Sequence, residues 1–116
     1  MDVQSAFLNG DLDEGIYMSQ PEGFIKEGQE DLVCRLKKSL YRLKQAGRTW
    51  YKKLYDCLVR FSVTQYNADY SIYYYQEDST KVIISAYVDN LIIMRNNLSY
   101  LQELKKKLGD IFAMRD

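Results

Sequence analysis

The stretch Ile83-Ile84-Ser85-Ala86-Tyr87-Val88-Asp89-Asn90-Leu91-Ile92-Ile93-Met94 sets apolar runs on either side of a single carboxylate. Two apolar strands would present Asp89 rigidly at their shared tip. A carboxylate fixed on a sheet is a good ligand for a hard, oxygen-loving cation such as Mg²⁺. An ordinary hairpin with an Asp-Asn turn has the same pattern, because both residues tolerate left-handed backbone. A two-cation site also needs carboxylates from elsewhere in the chain. Asp2, at another predicted strand end, is one candidate, but spacing alone does not bring it to Asp89.

Other chemistries find less support. Asp11, Asp13 and Glu22 fall at positions 1, 3 and 12 of a calcium-loop pattern, but position 6 is Ile16 where that loop requires glycine. The chain has no histidine, so it builds no Ser-His or Cys-His nucleophile pair and no His-bearing zinc site. Its two cysteines, Cys34 and Cys57, make neither a disulfide framework nor a four-thiolate site. They read as small apolar residues in a reduced compartment. Asn97-Leu98-Ser99 matches a glycosylation sequon, but nothing else suggests secretion.

Charge is organised although the net formal charge is zero. Residues 1–31 hold eight acidic side chains against Lys26 alone, and residues 32–60 hold nine basic ones against Asp56 alone. Such blocks fit either a polyanion footprint or a solvated basic helix face packed beside an acidic loop. Five of the eleven tyrosines lie between Tyr66 and Tyr75, in an acidic stretch where cross-strand packing explains them better than base stacking.

These residues need elements to position them. At 116 residues and 47% apolar the chain has the size and composition of one domain with a core. Met1–Leu8 predicts a strand ended by the turn signal Asn9-Gly10, and the polar stretch 11–28 a loop with an extended piece at Ile16–Met18. Leu32–Leu36 alternates like a half-buried strand. Trp50, Leu54, Cys57, Leu58 and Phe61 share one face of a predicted helix, while Lys44, Arg48 and Lys52 share another. Strands follow at Tyr70–Gln76, Lys81–Val88 and Leu91–Met94. A final helix carries the stripe Leu101, Leu104, Leu108, Ile111 and Phe112, with capping-box spacing at Ser99 and Gln102. The order predicts an α+β fold, an antiparallel sheet with helices packed on one face. The longest apolar runs fall far short of the ~20 residues of a spanning helix, so no membrane partner is expected and an intracellular chain is the default.

Several ordered blocks resemble the reverse transcriptase domain of copia-type (Ty/copia) retrotransposon Pol polyproteins. Met1-Asp2-Val3-Gln4-Ser5-Ala6-Phe7-Leu8-Asn9-Gly10-Asp11-Leu12 resembles that family's opening palm motif, MDVKTAFLNGDL. Ile16–Phe24 resembles its YMxQPEGF block, and Leu32–Trp50 its LVCKLKKSLYGLKQAPRxW block. Tyr87-Val88-Asp89-Asn90 occupies the place of the YVDD box, and Phe112–Asp116 that of FxMKD. The match covers essentially the whole chain.

The resemblance implies a palm-like fold and RNA-directed DNA polymerisation. Residues 1–116 would be a partial palm domain, with fingers, thumb and RNase H absent from this stretch. Asp2 and Asp89 would be carboxylates of a two-Mg²⁺ site, with Mn²⁺ as an alternative ion and Asn90 in the place of a further catalytic carboxylate. Val3 would lend its backbone near the nucleotide phosphates, Phe7 would lie under the sugar and exclude a 2′-hydroxyl, and Gln45 would contact the incoming deoxynucleotide. Lys44, Arg48 and Lys52 would face an RNA or DNA template-primer. The chain departs from the pattern at Asn90, at Arg42 in place of glycine and at Gly47 in place of proline. Asn90 supplies a neutral oxygen where the family supplies a full charge, so impaired or absent activity is expected of this chain. The alternatives are a non-catalytic nucleic-acid-binding remnant and an inert transposon-derived remnant, in the cytoplasm or the nucleus.

Overall fold

The computed structural model describes residues 1–116 except Asp13, Glu14, Tyr41, Arg42 and Lys44. Its elements run β1 (Asp2–Val3), a 3₁₀ turn (Ala6–Asn9), β2 (Tyr17–Ser19), β3 (Val33–Arg35), α1 (Ala46–Arg60), β4 (Thr64–Gln65), β5 (Ile72–Glu77), β6 (Thr80–Tyr87), β7 (Asn90–Arg95), α2 (Leu98–Ile111) and β8 (Met114–Arg115). A six-stranded sheet has the order β4-β5-β6-β7-β1-β8, and every pairing in it is antiparallel. Strands β2 and β3 form a separate hairpin, and residues 21–33 beside it are all exposed.

One sheet face carries the core. Tyr73, Val82, Ile84, Ala86 and Leu91 are buried in one cluster with Trp50, Leu54 and Leu58 of α1 and Leu104 and Leu108 of α2. These helix residues recur at three- and four-residue steps, so each helix turns one apolar stripe to the sheet. Tyr74, Ile83, Tyr87, Ile92 and Met94 alternate onto the other face and are exposed. The expected α+β architecture, with an antiparallel sheet and both helices on one face, is what forms.

Four elements differ from the sequence reading. The first strand stops at Val3, because Ser5 takes a left-handed backbone (φ 50°) and turns the chain into a 3₁₀ segment whose Ala6 is fully buried. The last helix is capped by Asn97, whose side chain accepts from the Tyr100 N–H at 3.0 Å, instead of through Ser99. Strands β4 and β8 have two residues each, too few for a period-two pattern to show. Phe112 falls just beyond α2 but is buried, as the apolar stripe requires.

The turn after the 3₁₀ segment is set by close approach. A Cβ on Gly10 would lie 2.7 Å from Thr49 Oγ1 and 3.3 Å from the Thr49 backbone carbon, so glycine lets the loop touch α1. Gly10→Ala should therefore destabilise the chain by about 1–3 kcal/mol through overpacking, read as a lower denaturant midpoint. An unchanged midpoint would show that α1 can move aside without cost. Burial pushes the Cys57 thiol up to about 11, while Cys34 is only half-buried. Iodoacetamide at about pH 8 should label Cys34 in the folded chain and reach Cys57 only after unfolding, because the thiolate is the reactive form. Equal labelling of both in native buffer would contradict the packing of α1.

Candidate metal and nucleotide site

The sheet register brings Asp2 to the tip of the β6–β7 hairpin. Asp2 pairs with Asn90 across β1 and β7. The flanking backbone bonds are Leu91 N–H to Met1 O at 2.7 Å on one side and Val3 N–H to Asp89 O at 2.7 Å on the other. Asp2 and Asn90 therefore form the non-hydrogen-bonded pair between them, the kind whose Cα atoms approach to about 4.5 Å and whose side chains share a face. Asn90 Nδ2 also donates to Asp89 Oδ1 at 3.0 Å. Two carboxylates and one amide are thus gathered on neighbouring backbone, all three incompletely buried.

The turn itself sits one residue earlier than the Asp-Asn pair suggested. Tyr87 and Asn90 close the hairpin, so Val88 and Asp89 are its central residues. Of these only Val88 has positive φ, 54°. A β-branched residue is strained there. Helix α1 meets this residue twice: Trp50 Nε1 donates to Val88 O at 2.7 Å, and the Val88 N–H donates to the Tyr51 hydroxyl at 3.1 Å. The sequence placed Trp50 on an apolar stripe and assigned Tyr51 nothing. A stripe argument counts carbon surface and is blind to where one indole N–H or one hydroxyl points.

The other predicted residues divide. Val3 is buried between β7 and β8, with its N–H given to Asp89. Phe7 lies in the 3₁₀ turn and packs against the core edge. Gln45 stands half-buried at the N-cap of α1, where its carbonyl accepts from Thr49 N–H at 3.0 Å. Arg48 and Lys52 lie one turn apart on the exposed side of α1, and Lys52 pairs with Asp56 at 2.9 Å. Lys44 lies outside the described residues. Arg48 and Lys52 also border an open groove of about 660 Å³, together with Tyr51, Tyr55, Tyr70 and Tyr73. Of the clustered tyrosines, Tyr73 is buried and Tyr75 stacks on Tyr100 at 4.3 Å, as packing residues do, while Tyr66, Tyr70 and Tyr74 are exposed. Of the calcium-loop pattern, Asp13 lies outside the described residues, and the Asp11 carboxylate is engaged by Lys38 and Lys53, whose hydrogen bonds hold its carboxyl below the usual range.

The family model for reverse transcriptase (RNA-dependent DNA polymerase) matches residues 1–116, the full chain. The chain belongs to the reverse transcriptase family. It is 39% identical over 100% of its length to the retrovirus-related Pol polyprotein from transposon TNT 1-94 of Nicotiana tabacum, of which it covers 9%. It is 37% identical over its whole length to the Pol polyprotein from transposon RE1 of Arabidopsis thaliana, covering 8% of that protein. A putative transposon Ty5-1 protein of Saccharomyces cerevisiae is 31% identical over the whole chain, which covers 38% of it. This reverse transcriptase domain is thus of the copia type, and it spans a small share of the polyproteins it matches. No solved structure matches the chain. No helix among the described residues is long and apolar enough to cross a membrane.

The donors fit a hard divalent cation, because carboxylate and amide oxygens suit Mg²⁺ or Mn²⁺. Among the described residues they form no cluster of three acidic, thiol or imidazole groups. Two carboxylates bring two charges where a pair of divalent ions carries four. Asn90→Asp should therefore tighten Mn²⁺ binding by about tenfold or more in calorimetry, since it adds a full charge beside Asp2 and Asp89. An unchanged affinity would show that Asn90 does not limit the site.

Proposed function

We propose that residues 1–116 form part of the palm of a copia-type reverse transcriptase and carry its nucleotidyl-transfer site. The observation that supports this most is the β1–β7 register, which sets Asp2 opposite Asn90 and beside Asp89. Asp2 and Asp89 are the proposed ligands of Mg²⁺, with Mn²⁺ as substitute, and Asn90 supplies an amide oxygen. When bound, the ions would lower the barrier to attack of a primer 3′-hydroxyl and stabilise the departing pyrophosphate. The chain's own residues would do the rest. Val3 would present backbone beside the nucleotide phosphates. Phe7, five residues after Asp2, would lie under the sugar and exclude a 2′-hydroxyl. Gln45, at the start of α1, would contact the incoming deoxynucleotide. Lys44, Arg48 and Lys52 would face template-primer phosphates, whose contacts weaken with salt.

Polymerisation by the 116 residues alone is proposed to be weak or absent, in an intracellular setting. On this reading the grip on template and primer would need fingers and thumb besides the palm, and Asn90 would leave the site a charge short. A second reading, non-catalytic nucleic-acid binding, draws support from Arg48 and Lys52 beside the tyrosine-lined groove.

A chimera separates the readings. This chain would replace the matching segment of the tobacco TNT 1-94 polyprotein, and extension of a DNA primer on an RNA template would be measured. The polymerase reading predicts measurable extension that rises at least tenfold with Asn90→Asp and falls to background with Asp89→Asn. Extension at background in the chimera both with and without Asn90→Asp, with salt-sensitive binding lost on neutralising Arg48 and Lys52, would favour the binding reading.

A further inference from the structure

We infer that Trp50 and Tyr51 are positioning residues for Asp89, acting through the backbone of Val88. The inference rests on the reading of Asp2 and Asp89 as a cation site and says what holds that site in shape. Val88 keeps a left-handed backbone, φ 54°, that a β-branched side chain disfavours. Strain of this kind persists only where surrounding groups over-determine the conformation. Here they do: the Val88 carbonyl accepts from Trp50 Nε1 at 2.7 Å, and its N–H donates to the Tyr51 hydroxyl at 3.1 Å. Both polar groups of one peptide-linked residue are therefore held by adjacent residues of one helix. The next carbonyl, that of Asp89, is held from the other side by Val3 N–H at 2.7 Å. The turn is pinned between α1 and β1, and the Asp89 side chain leaves it in a fixed direction toward Asn90.

The two grips differ in kind. Trp50 is fully buried and meets the Phe112 ring edge-on, with centroids 5.3 Å apart and planes at 76°, so its N–H has one place to point. Tyr51 is 38% exposed, and its hydroxyl meets the turn at the surface. Removing that hydroxyl leaves the Val88 N–H to water, at little cost to folding. Its effect should fall on alignment. A cation that must be met by two carboxylates at once loses affinity when one can swing away.

The chain has one tryptophan, and its indole is bonded to this turn, so its fluorescence is a probe placed beside the site. Mn²⁺, a paramagnetic quencher, would be titrated into wild type, Asp89→Asn and Tyr51→Phe, with melting and amide hydrogen exchange recorded in parallel. Expected are saturable quenching in wild type and none in Asp89→Asn. In Tyr51→Phe the dissociation constant should rise about three- to tenfold, the size of one lost hydrogen bond, with an unchanged melt and faster exchange at Val88. Trp50→Phe, read by calorimetry because it removes the fluorophore, should keep the ring packing and weaken binding as well. Tyr51→Phe and Trp50→Phe that bind as wild type would overturn the positioning role and leave the cation site standing. Wild type without saturable, Asp89-dependent quenching would remove the cation site and the positioning role with it.

Discussion

The hydrogen bond from the Trp50 indole to the Val88 carbonyl ties the helix layer to the hairpin tip. It needs Trp50 buried, and Trp50 is buried only because α1 sets Trp50, Leu54, Cys57 and Leu58 against one sheet face while Phe112 closes over the ring. A buried indole N–H without an acceptor would be costly, so the packing of α1 and the position of the turn specify each other. Asp89 follows from that position, and Asp2 follows from the β1–β7 register beside it. The same bond therefore belongs to the core and to the candidate site.

The uneven charge is partly consumed by folding. Asp11 of the acidic stretch forms ion pairs with Lys38 and Lys53 of the basic one, fastening the loop after the 3₁₀ turn to α1. Its carboxyl is held below the usual range by the Lys38 and then the Lys53 hydrogen bond. That contribution to stability is present above the ordinary carboxylate pKa and fades as pH falls through the lowered folded value. The pairs are exposed, so the contribution is small and screened by salt. Other charges of the two blocks lie apart: Glu22, Glu27, Glu30 and Asp31 on the exposed β2–β3 arm, and Arg48 on α1 beside the groove.

Much of this was legible in the residues. The stripe from Trp50 to Leu58 and the alternation along β5, β6 and β7 read directly, because burial of carbon surface imposes periods of 3.6 and 2. The family motifs single out Asp2 and Asp89 from the sequence alone. Their meeting was not legible, since a pairing between residues 2 and 90 leaves no local trace. The Val88 turn was hidden for a related reason: propensity assigns left-handed backbone to Asp or Asn, and tertiary bonds from Trp50 and Tyr51 impose it on valine instead. Strands β4 and β8 were missed because two residues carry no periodicity.

The central claim is that Asp2 and Asp89, remote in sequence, form one cation site with Asn90. Paramagnetic broadening of amide resonances by substoichiometric Mn²⁺ tests it most directly. The account predicts that the signals of residues 1–3 and 88–91, with those of the adjoining β8, broaden first and together, while those around Asp78, at the opposite end of the β5–β6 hairpin, and Asp31, in the exposed arm, stay sharp. Broadening that begins at those other carboxylates, or reaches Asp89 without Asp2, would contradict it.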